Sequence, residues 1–129
     1  MKIQFKSKEH KMFYENMMKQ CSKNDSYHQT LFYTLGICPD CRKHIQDLYD
    51  VHNDKIMLDG IHQYWQTSGS MRTTLLAFNL WNGFASENTV ESTPYDLFQS
   101  EDCPFYFEAV KIKYPEYCLE HQKRSREER

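Results

Sequence analysis

Apolar positions recur at helical spacing along most of this chain. Phe13, Met17 and Cys21 fall every four residues behind Ser7-Lys8-Glu9-His10, which predicts a first helix with Ser7 as N-cap and Glu9 in its first turn. Tyr27, Leu31 and Leu35 predict a second helix, capped by Asp25 and closed by Gly36 in a left-handed conformation. Pro39 and Asp40 open a third, carried by Cys41, Ile45, Leu48 and Tyr49. Asn53-Asp54-Lys55 breaks the pattern, and Met57 to Trp65 predicts a short helix interrupted at Gly60.

Gln66-Thr67-Ser68-Gly69-Ser70 reads as a polar hinge and cap. Behind it, Met71 to Trp81 carries apolar residues around most of its circumference and predicts the central buried helix, stopped at Asn82-Gly83. Ala85 to Thr93 has no period and reads as a surface loop. Asp102-Cys103-Pro104 starts another helix, continued by Phe105, Ala109 and Ile112 and ended at Pro115. Cys118 to Arg129 predicts a last charged helix with a frayed end. The expected fold is all-α: a single compact domain over residues 1–129, of five to six helices, with 118–129 as a charged C-terminal segment.

Composition supports that picture. At 129 residues the chain is long enough to bury one core, and nine Tyr and eight Phe favour a folded protein. Four Gly and four Pro are too few for the many turns of a β-sandwich. A net charge of −2 lacks the basic excess that phosphate contacts require, so direct nucleic-acid binding is not expected. It also lacks the dense acidity of a phosphate mimic, which leaves a protein surface as the expected partner. Met1-Lys2-Ile3-Gln4-Phe5-Lys6 has no apolar leader core and no run has membrane-spanning length, so the expected compartment is the cytoplasm.

Cysteine spacing carries the most specific chemistry. Cys38-Pro39-Asp40-Cys41 is a C-x2-C knuckle, and Cys118-Leu119-Glu120-His121 is a C-x2-H pair. Together Cys38, Cys41, Cys118 and His121 supply four ligands for a closed, structural tetrahedral zinc ion. Such a site would staple the C-terminal segment to the third helix and contribute folding free energy directly. Cys103 and His44 are substitutes for any one ligand. Three plainer or different readings stand beside it. The cysteines can be small buried hydrophobes. Cys38 before a helix start can act as a redox thiol, although the βαβ setting of a thioredoxin-like fold is absent. The same residues can form a small zinc metalloenzyme, which would keep one coordination position open.

Other candidates reduce to structure. His28, His44, His52 and His62 read as half-buried helical histidines, and Ser68-Gly69-Ser70 as a cap with no nucleophile elbow around it. Gln66 to Arg72 beside Trp65 could hold an anion at a helix start, but capping explains it alone. Phe105-Tyr106-Phe107 with Tyr114 and Tyr117 could stack bases, but helical spacing makes them core.

Several blocks together carry a resemblance. They are Glu9-His10 with Phe13-Tyr14; Tyr27-His28 with Leu31-Phe32-Tyr33-Thr34-Leu35-Gly36; Trp65 to Ser70; Leu76-Ala77-Phe78-Asn79-Leu80-Trp81; and Tyr106 to Lys111 with Tyr114-Pro115-Glu116-Tyr117. Over most of its length the chain resembles a family of small uncharacterised proteins of Gram-positive bacteria, their prophages and mobile elements. That family's pattern does not usually have cysteine at the second knuckle position, so Cys41 is a departure. A zinc site there would belong to this chain and close relatives. Small metal-holding proteins of such sets resemble some anti-CRISPR proteins, which bind a host effector nuclease and block its DNA loading or cleavage. The resemblance therefore implies a non-enzymatic, phage-type inhibitor of a CRISPR nuclease with a structural zinc ion. The alternatives are a metalloenzyme or thiol redox protein, and a metal-free helical regulator.

Overall fold

A computed structural model describes residues 2–86 and 93–119. The chain is mostly helical: α1 (Lys8–Cys21), α2 (Ser26–Gly36), α3 (Pro39–Lys43), α4 (Ser68–Asn82), α5 (Pro94–Leu97) and α6 (Cys103–Lys113). The N-caps fall where short polar side chains predict them. The Ser7 hydroxyl accepts from the His10 N–H, and the Asp25 carboxylate accepts from the His28 N–H. At α4, Thr67 and Ser70 satisfy each other's backbone N–H groups in a reciprocal capping box. Gly83 ends α4 with φ +83°, a conformation that a side chain would strain.

Three features depart from the sequence expectation. The third helix is only α3; the chain then makes a 3-10 turn (Ile45–Asp47) and a two-residue strand, β1 (Tyr49–Asp50), paired antiparallel to β2 (Lys55–Ile56). Leu48 and Tyr49 are buried as the helical pattern requires, but a hairpin buries them, not a helix. The stretch after β2 forms a 3-10 turn, Leu58–His62, in place of an α-helix. Gly36 is the last residue of α2, not a left-handed cap after it. Its missing Cβ matters for another reason, because a Cβ would lie 2.7 Å from the His10 ring. The expected loop over 85–93 falls partly, and the expected last helix almost wholly, outside the described residues.

α2 and α4 pack against each other at the centre, with α1 on one side of α2 and α6 on another. One apolar cluster joins Leu31, Phe32 and Leu35 of α2 to Met17 of α1, Leu48, Tyr49 and Trp65, and Phe78 of α4. A second joins Tyr33 and Ile37 to Leu76 and Leu80 of α4, Leu97 of α5, and Tyr106, Ala109 and Ile112 of α6. Burying each large aliphatic or aromatic side chain contributes roughly 1.5–3 kcal/mol. α4 is therefore central, as its apolar pattern predicts. Among the described residues, no helix is long and apolar enough to cross a membrane.

Candidate functional site

The knuckle sits where α2 hands over to α3. Cys38 is the N-cap of α3 with extended backbone, Pro39 fills the first helical position, and the Arg42 N–H returns to the Cys38 carbonyl at 3.0 Å. One turn on, Cys41 points inward and is fully buried. Its sulfur lies 3.4 Å from the Thr74 hydroxyl and 3.8 Å from the Ser70 carbonyl, both on the first turns of α4. Gln66 extends this network: its Nε2 donates to Thr74 Oγ1 at 3.2 Å, and its Oε1 accepts from the Ser70 hydroxyl at 2.6 Å. The α3 thiol is thereby wired to the capping box of α4.

The two thiols have opposite surroundings. Interaction with the Cys41 thiol, together with the N–H groups of Cys41 and Asp40, outweighs burial and draws the Cys38 thiol below the ordinary thiol range. The same interaction, followed by burial, pushes Cys41 well above the ordinary thiol range. The result is an ionisable thiol that keeps slight exposure, backed by a fully buried, proton-bearing one.

The other two expected zinc ligands are not brought to this pair within the described residues. The Cys118 sulfur donates to the Pro115 carbonyl at 3.1 Å, beyond α6, and His121 lies outside the described residues. Among the described residues, no three His, Cys, Asp or Glu side chains gather where a metal ion could be held. Two sulfurs are half of a tetrahedral site. The substitutes do not complete it: His44 stacks flat on Trp65, ring centroids 4.5 Å apart, and Cys103 starts α6.

Two features escaped the sequence reading. The first is a knot around His28, whose Nδ1 lies 2.8 Å from Asp25 and whose Nε2 lies 2.7 Å from Asp54. Asp54 also accepts from the Tyr49 hydroxyl and from Lys23, each at 2.6 Å. Burial alone would raise its carboxyl, but these hydrogen bonds hold it well below the usual carboxylate range. Asp54 adopts φ +53°, a strained conformation that the three side-chain bonds hold in place. Asp25, three residues before His28, was visible in the sequence; Asp54, on the hairpin, was not.

The second is the outer face of α6. Tyr106, Ala109 and Ile112 enter the core, but Phe107, Val110 and Tyr114 point outward at 51%, 40% and 42% exposure. Phe98 packs against Phe107 at 4.8 Å between ring centroids, and Lys113 of the same helix sits 3.1 Å above the Tyr27 ring of α2. The aromatic residues expected in the core are thus divided between the core and the surface. The clue lies in the sequence, because Phe107, Val110 and Tyr114 repeat at three and four residues opposite the buried stripe.

A groove of about 560 Å³ runs between α1 and the hairpin, its lining including Phe13, Met17, Ile45, Arg42 and His52. The Arg42 guanidinium donates to the Gly36 carbonyl, and no nucleophile with an adjacent base lines the groove.

These features define a mostly helical protein with a buried thiol pair, a histidine–carboxylate knot and one helix that is apolar on both faces. The chain belongs to a family of unknown function (DUF6075), whose model matches residues 1–126. No curated protein and no solved structure matches it.

Proposed function

We propose that this chain is a non-enzymatic binding protein that docks on a host protein through the outer face of α6, and that the partner is a CRISPR effector nuclease whose DNA loading or cleavage it blocks. The observation that carries the binding reading is the outward stripe Phe107, Val110 and Tyr114 with Phe98 beside it. A helix at the edge of a monomer presents polar side chains to water, whereas an apolar stripe with aromatic residues marks a protein interface. The near-neutral charge supports a protein partner over nucleic acid. The choice of a nuclease rests on the resemblance to small phage-borne protein sets.

The test is a target-cleavage assay with the effector nuclease and this chain in large excess. Cutting falls, and Phe107→Glu restores it while leaving the melting temperature unchanged, since Phe107 is already half in water. Cutting that is unaffected by the excess removes the nuclease reading. Inhibition that survives Phe107→Glu and Tyr114→Glu together moves the docking surface away from α6.

A further inference from the structure

We propose that Cys38 and Cys41 are a thiol–disulfide exchange pair, a modification site that takes a low-molecular-weight disulfide, with Cys38 as the attacking sulfur and Cys41 as the resolving one. The assignment stands on placement. The two residues lie one helical turn apart, at the N-cap and the third position of α3. Side chains three residues apart on a turn have Cβ atoms about 5–6 Å apart, and a disulfide closes by drawing them to roughly 4 Å. Access is asymmetric, and this fixes the order of events. Cys38 keeps 9% exposure and Cys41 none, so Cys38 is the less buried of the two and the one an incoming molecule reaches first. All five cysteines are free in the structure.

The chemistry balances with the small disulfide as oxidant. The Cys38 thiolate attacks one sulfur of R–S–S–R, forms the mixed disulfide Cys38–S–S–R and expels one thiolate, which takes up a proton. Cys41 then loses its proton and its sulfur attacks the Cys38 sulfur, forming the Cys38–Cys41 bond and expelling the second thiolate, which is protonated in turn. The protein loses two hydrogens and one small disulfide becomes two small thiols. Closure removes the S–H that Cys41 directs at the Ser70 carbonyl, so the oxidation state is felt at the first turn of α4.

The probe is oxidised glutathione added to the reduced full chain, read by intact mass and peptide mapping. The wild-type chain loses two hydrogens, and the new bond maps to Cys38 and Cys41. Cys41→Ser stops at a single glutathione adduct on Cys38, and Cys38→Ser gives no adduct on Cys41. If a variant misfolds, the wild-type map decides by itself, with Cys21, Cys103 and Cys118 as internal references. Adducts on those three with Cys38 and Cys41 unmodified overturn the proposal. So does one zinc ion per chain held on Cys38 and Cys41 that keeps the pair reduced.

Discussion

The two ends of α2 are each clamped by a buried histidine, and the two clamps work by opposite electrostatics. At the C-terminal end, His10 of α1 is fully buried among uncharged backbone groups. Its Nε2 donates to the Tyr33 carbonyl at 2.7 Å, and its Nδ1 accepts from the Lys6 N–H at 3.0 Å. Burial holds its pKa down to about 4, so the ring is neutral there. At the N-terminal end, His28 has a carboxylate on each nitrogen. One clamp keeps its proton off through burial, with the Arg42 and Lys6 cations adding to that; the other sets a carboxylate against each ring nitrogen. Both tie distant chain to α2: the N-terminal segment in one case, which Tyr33 also holds through its hydroxyl on the Gln4 carbonyl, and the hairpin in the other.

The largest break of this comparison is Asp54→Ala. It leaves the His28 Nε2 and the Tyr49 hydroxyl without their acceptor in a buried setting, and denaturant melts lose about 3 kcal/mol. Retention of stability within about 0.5 kcal/mol would mean that water replaces the carboxylate. Next comes Gly36→Ala at the other clamp. Its Cβ would meet the His10 ring at 2.7 Å and the Phe13 ring at 2.9 Å, and overpacking there costs about 2 kcal/mol in the same melts.

pH separates the clamps. The folded pKa of His10 lies below its unfolded value of about 6.5, so its contribution is complete above that pH and is lost as pH falls toward 4. Stability drops by up to about 3 kcal/mol over that window. His10→Gln, which keeps a donor for the Tyr33 carbonyl, flattens that part of the curve. Asp54, with its pKa depressed, contributes above the unfolded carboxylate range and is lost only at more acid pH, so its clamp outlasts that of His10 on acidification. The smallest effect belongs to Lys23→Ala. Its bond to Asp54 is short but exposed, and the melt shifts at the edge of detection.

The clamps also show which parts of the fold were legible in the residues. Helix starts were legible because a cap is local: Ser7, Asp25 and Thr67 each act on a backbone group three residues on. The hairpin was not, because Leu48 and Tyr49 satisfy a helical period and a buried strand equally well. Only the pairing of Tyr49 with Ile56, a contact across the turn, decides between them. The thiol pair was legible as a pair from C-x2-C spacing. Its unequal environment was not, since Thr74 and Ser70 lie about thirty residues away on α4.

By itself, the sequence determined the helical class, the caps, the central place of α4 and a C-x2-C pair on one turn. All of these follow from forces that act within a few residues. The tertiary structure decided which faces meet: that Cys41 turns into α4 while Cys38 keeps slight exposure, that Asp54 reaches His28, and that α6 keeps a second apolar face toward water. Each depends on groups brought together by packing across long stretches of chain, where burial and paired charges override the local pattern.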